Sequence, residues 1–421
     1  MIESVLRGEG QRRLAEIGAA DIVIGIPTYK NARTIANVGS RAAEALARYF
    51  PRWRGVLAIV DGGSSDETVP TATSFALPPN VRRIVTTYQG MQGKGSAVRA
   101  VLEMSRSLHA QLIIVLEADV ETLTPEWIQR LAQPVRQKEF SLALPSYTRP
   151  IPDGAVTDLL AYPLTRMLYG VDIRQPMGGE FAMSAELAAR LSAKDVWETD
   201  VARHGFDIWL TTISILEGVK LCQVRLGTKI DYSREMLLAL DPTFIQSVGT
   251  LFRMIDIYRK RWLNMGPPRP APFYGDGVLG DISYKGLPPI TLSSLASAFT
   301  AGARRYSRIW KTVLYPSNRA EIKQLVERPA GAYHFPPDLW ARVVFDFAVV
   351  YNKGEGDPDK VVAALLPLYY ARAATLMKET GSKPEAVERA VAAQAETFIA
   401  NKPYLLERWE SYVPWAWDGV R

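Results

Sequence analysis

The chain has 421 residues, of which 48% are hydrophobic and 22% are charged, and its formal net charge is +6. This is an ordinary globular composition, and the length allows two or more domains with a large buried core. No block of like charges indicates a nucleic-acid arm, and no apolar run approaches the roughly 20 residues that a membrane span needs. The mild positive charge fits either a solvated surface or an anionic ligand.

The single cysteine, Cys222, excludes a disulfide framework and a cysteine-based metal site within the chain. The first residues, "MIESVLRGEGQRRLAEIG", form a charged helical pattern and do not resemble a signal peptide. A protein with these features is expected in the reducing cytoplasm.

Short apolar strands alternate with amphipathic helices between residues 21 and 119. The predicted strands are "DIVIGIPTY", "GVLAIVDGG", "VRRIVTTY" and "LIIVLEAD". Helical patterns follow the first strand, as "ARTIANVGSRAAEALARYF", and the third, as "GKGSAVRAVLEMSRSLH". This alternation predicts an α/β fold, Rossmann-like, with a mostly parallel sheet covered by helices on both faces.

The second half of the chain has a different pattern. A proline-rich stretch, "NMGPPRPAPFYGDG", indicates a linker or an extended crossing at residues 264–277. From about Leu292 the apolar residues recur at helical spacing. We therefore expect an α/β domain over residues 1–285 and a helical C-terminal domain over 286–421, whose apolar surface could form a homodimer.

Polar residues follow three of the predicted strands, at the sheet edge where open α/β sheets bind ligands. Glu117 and Asp119 end the fourth strand and share one face if the backbone stays extended. Two carboxylates placed together repel each other unless a cation lies beside them. Mg²⁺ or Mn²⁺ would satisfy this pair, and two solvated acids before a helix explain it equally well.

Two further strand ends could contact a nucleotide. Asp61 ends the second strand, where it can cap its own turn or accept a hydrogen bond from a base or ribose. Lys94 lies between two glycines, Gly93 and Gly95, immediately before a helix. Amides at a helix N-terminus and an ammonium group suit a diphosphate, although this short pattern is weak evidence alone.

In order and spacing, four segments resemble the nucleotide-binding half of GT-A glycosyltransferases: "IPTYKNARTI", "VDGGSSDET", "GKGSAVRA" and "LEAD". Two later segments, "YPLTRMLYGVDIRQPMGGEFAMS" and "HGFDIWLTT", are similar to the retaining glucosyl-3-phosphoglycerate, mannosyl-3-phosphoglycerate and glucosylglycerate synthases. The resemblance covers residues 22–231. The helical C-terminal part also resembles the longer, glucosylglycerate synthase-like members.

The resemblance implies a GT-A fold, with a nucleotide-binding half at about 20–120 and an acceptor half at about 140–240. It implies nucleotide-sugar contacts from Pro27, Thr28, Tyr29, Asn31, Asp61, Gly93, Lys94 and Ala118. It implies that Glu180 contacts the donor sugar and that Asp207 supports the acceptor, which would lie near Gly178 and Gly179. An anionic acceptor needs cations, and Arg166, Arg174 and Lys229 are the candidates.

The resemblance also implies a metal site with two departures from the family pattern. The metal would be held by Asp119, by Glu117 in place of a shorter aspartate, and by Asp231 in place of a histidine. Aspartate is a suitable oxygen ligand for Mg²⁺ or Mn²⁺. Alternatively, Asp231 is a loop acid and the third ligand is lost.

The implied reaction is transfer of glucose or mannose from a UDP- or GDP-linked sugar to glycerate or 3-phosphoglycerate, with retention of anomeric configuration. The sequence leaves the sugar, the nucleotide and the acceptor's phosphorylation open. An inverting GT-A enzyme acting on a lipid or polysaccharide is one alternative. A non-catalytic nucleotide-sugar binder is another.

Overall fold

A computed structural model describes residues 4–149, 151–232, 241–277, 291–329, 332–381 and 383–413. Their contacts form two compact units. The first, the sheet unit, takes the described residues of 1–148, 177–233 and 271–281. The second, the helical unit, takes those of 149–176, 234–270 and 282–421.

The strands are numbered in chain order. They are β1 Ile22–Thr28, β2 Gly55–Asp61, β3 Val81–Thr87, β4 Leu112–Val115, β5 Leu142–Thr148, β6 Val171–Asp172, β7 Phe181–Ser184, β8 Leu221–Thr228 and β9 Arg269–Pro270.

The helices are numbered in the same way. They are α1 Gly8–Ile17, α2 Ile35–Tyr49, α3 Thr68–Ser74, α4 Lys94–Ser107, α5 Pro125–Arg136, α6 Ile151–Val156, α7 Tyr162–Tyr169, α8 Ala185–Ser192, α9 Phe206–Leu216, α10 Asp241–Ile257, α11 Arg259–Trp262, α12 Leu292–Val313, α13 Pro316–Val326, α14 Pro337–Lys353, α15 Pro358–Thr380, α16 Pro384–Ala400 and α17 Lys402–Ser411. A π-helical turn at Thr157–Ala161 joins α6 to α7, and a 3₁₀ turn at Asp200–Ala202 precedes α9.

The sheet unit is built on seven strands in the order β3-β2-β1-β4-β7-β5-β8, in which β7 alone runs antiparallel to its neighbours. Strand β1 is buried because helices cover both of its faces. Ile24 lies in the core with Val38 and Ala42 of α2, whereas a Cβ on Gly25 would lie 2.5 Å from Val101 of α4. The predicted fold class, a mostly parallel sheet with helices, is confirmed.

The register of the sheet brings the predicted strand-end residues to one edge. Thr28 pairs with Asp61 at the ends of β1 and β2, and β4 ends two residues before Glu117. Because β7 is antiparallel, its first residue, Phe181, lies at the same edge, opposite Val115. The preceding residues, Gly178 to Glu180, therefore arrive beside the end of β4.

The helical unit has its core between long helices, chiefly α12, α14 and α15. It also contains a buried ion pair, in which Arg408 donates to Asp346 at 2.9 Å. The other carboxylate oxygen of Asp346 accepts from the amides of Tyr315 and Asn318. Among the described helices, none is both long enough and apolar enough to cross a membrane.

The expected large helical C-terminal region is present, and the domain bounds expected from sequence stay predictions. In the compact units, the described residues of 149–176 and 234–270 group with the C-terminal helices. The predicted boundary at residue 285 lies outside the described residues and stays a prediction.

Helix packing gives a first test. Gly302 of α12 faces Pro367 of α15, and an added Cβ would lie 2.1 Å from the proline Cγ. A rigid ring within a helix cannot move aside, so Gly302→Ala is expected to lower stability by about 1–2 kcal/mol through overpacking. The thermal unfolding midpoint measures this.

The matched control is Gly356→Ala, where no atom lies within 4 Å of the new Cβ. It should unfold at the wild-type temperature. A Gly302→Ala variant as stable as the wild type would contradict the close approach of the two helices.

Candidate active site at the carboxyl edge of the sheet

Three carboxylates meet beyond the end of β4. Asp231 is brought there by the segment after β8, which pairs with the segment after β4: Val120 bridges Asp231, and the amide of Tyr232 donates to the carbonyl of Asp119 at 2.9 Å. Each of Glu117, Asp119 and Asp231 offers an oxygen within 4.8 Å of the others. Oxygen donors this close suit Mg²⁺ or Mn²⁺.

Glu117 is also held between two ammonium groups. Its Oε1 accepts from Lys94 at 2.8 Å and its Oε2 from Lys229 at 2.5 Å. Burial alone would raise the pKa of Glu117, but Lys229 and Lys94 outweigh it and hold the pKa well below its usual range. Glu117 is therefore ionised at neutral pH and serves as the anion that joins the two lysines.

Lys94 links Glu117 to Asp207. Its Nζ donates to Glu117, to Asp207 at 2.7 Å and to the carbonyl of Gly179 at 3.3 Å. An ammonium has three N–H donors, so these acceptors use all of them. Burial lowers the pKa of Lys94, but the carboxylates of Asp207 and Glu117 outweigh burial and raise it. A diphosphate contact by Lys94, which stays a prediction, would have to replace one of these partners.

Lys229 is the second cation and its side chain has no exposed surface. Besides Glu117, its Nζ donates to the carbonyl of Gly178 at 3.2 Å and to both carboxylate oxygens of Glu180 at 3.0 Å. Its Nζ also lies 3.7 Å from Asp231. We predicted Lys229 as a candidate acceptor contact, but the structure places it inside this network.

Glu180 is buried and accepts a hydrogen bond from the hydroxyl of Tyr147. Burial raises the pKa of Glu180 to about 7, against the opposing effect of Lys229. The carboxyl group of Glu180 therefore titrates near neutral pH, unlike that of Glu117.

Asp207 lies in the first turn of α9, where an acidic side chain is favoured by the helix dipole. Burial raises its pKa, and Lys94 partly offsets that rise. Its Oδ2 binds Lys94, whereas its Oδ1 is buried with no hydrogen-bond partner among the described residues. That oxygen could accept a hydrogen bond from a bound substrate, as predicted for an acceptor-supporting residue.

Gly178 and Gly179 direct their carbonyls to Lys229 and Lys94 respectively. Gly179 has φ +92°, and an added Cβ would lie 2.4 Å from the carboxyl group of Glu117. Only glycine tolerates both conditions. The two glycines predicted near the acceptor thus also allow the backbone to reach the ion pairs.

The predicted base and ribose contacts form one connected loop structure. The side-chain oxygen of Asn31 accepts from the amide of Tyr29 at 2.8 Å and from the hydroxyl of Thr28 at 3.0 Å. Asp61 accepts from the amides of Gly63 and Ser64, both at 2.8 Å. Tyr29 is 55% exposed, and its ring is therefore accessible to a base. Pro27 is half-buried and Ala118 is buried.

The glycines around Lys94 are explained by close packing. A Cβ on Gly95 would lie 1.9 Å from the carbonyl oxygen of Val201, and the Gly95 amide donates to Arg203 at 3.0 Å. The Gly93 amide donates to the hydroxyl of Tyr88. Both amides are therefore engaged within the protein, and a diphosphate contact by this turn stays a prediction.

The predicted acceptor arginines, Arg166 and Arg174, belong to the helical unit. Arg166 pairs with Asp172 at 3.1 Å and with Glu396 at 2.6 Å. Arg174 pairs with Asp158 at 2.7 Å and with Glu388 of α16 at 2.7 Å. Each guanidinium is thus neutralised by two carboxylates, and a role in acceptor binding stays a prediction.

Sequence reasoning missed Tyr147 and the structural role of Lys229. Tyr147 is the residue before the last in β5 and could have been noticed as a polar-tipped side chain at the ligand-binding edge. The signal for Lys229 was its position two residues before Asp231, between a strand and an acid. Neither signal shows which carboxylate each side chain meets.

Residues 23–171 match the model of the family described as Glycosyl transferase family 2. This segment is a glycosyl transferase family 2 domain. The predicted glycosyltransferase is confirmed at the level of this domain, and the match covers all the strand-end residues from Thr28 to Asp119. No curated protein matches the chain.

Several solved structures are similar to the chain. Glucosyl-3-phosphoglycerate synthase from Mycobacterium tuberculosis with Mg²⁺ and UDP is 21% identical, with a TM-score of 0.45 over 58% of this chain and 82% of that one. The same enzyme with Mn²⁺, UDP-glucose and phosphoglyceric acid is 22% identical, with a TM-score of 0.44 over 57% and 82%. A mycobacterial protein is 23% identical, with a TM-score of 0.44 over 57% and 77%.

The titration of Glu180 gives the second test. Its pKa is raised from 4.5 in an unperturbed chain to about 7 in the folded state. The folded protein then keeps a proton that the unfolded chain loses, which stabilises the fold fully below pH 4.5 and is lost as pH rises through 7. At about 1.4 kcal/mol per pKa unit, the contribution is at most about 3 kcal/mol.

The measurement is the unfolding temperature between pH 5 and pH 8, in EDTA. The wild type should lose stability as pH rises, and Glu180→Gln should flatten that dependence. Glu186→Gln, on the exposed face of α8, is the control and should keep the wild-type slope. Equal slopes for wild type and Glu180→Gln would contradict the assignment.

Proposed function

We propose that this protein is a retaining glycosyltransferase that moves glucose or mannose from a nucleoside diphosphate sugar to glycerate or 3-phosphoglycerate, with a divalent cation. The observation that carries the proposal is the meeting of Glu117, Asp119 and Asp231 within 4.8 Å at the ligand-binding edge of a glycosyl transferase family 2 domain. The sequence resemblance of "RQPMGGEF" to the retaining synthases supports the acceptor class.

The acidic group would hold Mg²⁺ or Mn²⁺, which when bound supplies positive charge for the leaving diphosphate. The loop of Thr28, Tyr29 and Asn31 would frame the base and ribose, with the exposed ring of Tyr29 available for stacking. Glu180 would position the donor sugar, and the unused oxygen of Asp207 would accept a hydrogen bond from the acceptor.

Retention is supported by the resemblance of "RQPMGGEF" to the retaining synthases. In a retaining front-face reaction the leaving phosphate oxygen takes the acceptor proton, so no protein base is required. The ion pairs of Asp207 with Lys94 and of Glu180 with Lys229 are compatible with such a reaction.

The ion pairs of the two arginines favour glycerate over its phosphate. A phosphorylated acceptor needs additional cationic groups that are not already neutralised. Arg166 and Arg174 each bind two carboxylates. A carboxylate and hydroxyls alone make a smaller demand on the site's positive charge.

The third test is transfer itself. The purified chain with Mn²⁺ should convert one of UDP-glucose, GDP-glucose, UDP-mannose or GDP-mannose with D-glycerate to an α-linked product, identified by proton NMR of the anomeric position. Asp119→Asn should lower the rate by at least about 100-fold because a transition-state charge contact is lost. Glu121→Gln, an exposed acid on the same segment, should transfer at the wild-type rate.

A β-linked product would contradict retention and favour the inverting alternative. Donor-dependent thermal stabilisation without any transfer or hydrolysis would favour the non-catalytic binder. Faster transfer to 3-phosphoglycerate than to glycerate would contradict the preference argued from the arginines.

A further inference from the structure

We propose that Tyr88 is a positioning residue for the transfer reaction: its hydroxyl fixes the first turn of α4 and, through that turn, the ammonium group of Lys94. The inference rests on the proposed function for the role of Lys94 at the donor diphosphate. Tyr88 would act through the backbone of Gly93, without a contact to the substrate.

The first step is the double contact between one hydroxyl and one glycine. The Tyr88 hydroxyl accepts from the Gly93 amide at 2.8 Å and donates to the Gly93 carbonyl at 3.1 Å. Gly93 is nearly extended, with φ 158° and ψ 170°, and an extended residue directs its amide and carbonyl to the same side. One hydroxyl can therefore bind both groups and fix both peptide planes of Gly93.

The second step is the place of Gly93 in the helix. Gly93 is the N-cap residue of α4, and Lys94 is the first residue of the helix. A helix begins with amides that lack partners within the helix, and glycine has no side chain to cap them. Here the Gly95 amide donates to the carbonyl of Arg203 at 3.0 Å. The first turn is thus held from two sides, by the Tyr88 hydroxyl and by the backbone of Arg203.

The third step is the anchoring of Tyr88 on the sheet. Tyr88 follows β3, whose last residue, Thr87, pairs with Asp61 of β2. It also forms an antiparallel bridge with Leu6, and its side chain is buried. Burial raises the pKa of the Tyr88 hydroxyl, which therefore stays protonated and able to donate. The hydroxyl thus ties the start of α4 to a fixed part of the sheet unit.

The fourth step is the position of the ammonium group that the turn carries. The Nζ of Lys94 reaches Glu117 at 2.8 Å and Asp207 at 2.7 Å, and these carboxylates lie on different segments. Misplacing a functional group by about 1 Å can slow a reaction about 100-fold. Loss of the Tyr88 hydroxyl is therefore expected to displace Lys94 and to slow the step in which charge develops on the leaving diphosphate.

The experiment is a double-mutant cycle on transfer, with the donor and acceptor that the wild type uses. Tyr88→Phe removes only the hydroxyl, and it should lower kcat by about 10- to 100-fold with an unchanged KM for the donor. In the Lys94→Gln background Tyr88→Phe should have no further effect, because residues that act as one unit are not additive. The control is Tyr49→Phe, which loses a hydroxyl contact of 2.8 Å to Glu126 and should transfer at the wild-type rate.

Three outcomes would overturn the inference. The first is a Tyr88→Phe variant that transfers at the wild-type rate, even if its unfolding temperature is lower. The second is a loss carried by the donor KM alone, and the third is a rate loss of the same size with and without the Lys94 ammonium.

Where Lys94→Gln is too slow to measure, crystal structures of the wild type and Tyr88→Phe decide. The Nζ of Lys94 should move by about 1 Å or more from its place between Glu117 and Asp207, and an unmoved Nζ would overturn the inference. A wild type that transfers no hexose would refute the proposed function. The same two crystal structures would then still test whether the Tyr88 hydroxyl positions Lys94.

Discussion

The site depends on one half-buried carboxylate, Glu117, held between the ammonium groups of Lys94 and Lys229. An ionised carboxylate at the end of an apolar strand is costly to bury unless opposite charge meets it. The two lysines offset that cost. They come from segments far from Glu117 in sequence, the start of α4 and the loop after β8. One side chain therefore joins three separate parts of the sheet unit.

The same interaction explains why the neighbouring backbone must be glycine. The carbonyls of Gly178 and Gly179 complete the shells of the two ammonium groups, and a side chain at Gly179 would collide with Glu117. The ion pairs thus fix the segment that carries Glu180 into β7. Packing and electrostatics therefore constrain the same glycines, because moving them would take a carbonyl acceptor away from each lysine.

Local sequence patterns were sufficient for the sheet and for the edge where the site lies. The apolar strands ending in Thr28, Asp61 and Glu117 identified both, since side-chain period and strand-end polarity are local signals. The partners of those residues are tertiary. Nothing local indicates that Lys229 would meet Glu117, 112 residues away, or that Arg174 would meet Glu388, 214 residues away.

The turn that the sequence predicts as a diphosphate site shows the same limit of reasoning from sequence alone. Gly93, Lys94 and Gly95 have the composition of an anion-binding turn, and the turn does open a helix. Yet the amides of Gly93 and Gly95 bind Tyr88 and Arg203, and Lys94 is saturated by carboxylates. Glycine was needed for close approach to another loop, a requirement that sequence cannot distinguish from close approach to a ligand.

Charge balance connects these observations to the proposed reaction. Five carboxylates gather at the site, and two ammonium groups oppose them. With all of these groups ionised, the five carboxylates exceed the two ammonium groups by three charges, an excess that would oppose the diphosphate of the proposed donor. Under the proposed function, a bound divalent cation would offset two of those charges. Glu180, with its pKa raised to about 7, can hold a proton near neutral pH, which lowers the negative charge of the site. The two lysines thus stabilise the framework of the site, and the proposed cation would join Asp119 to Asp231, which itself lies 3.7 Å from Lys229.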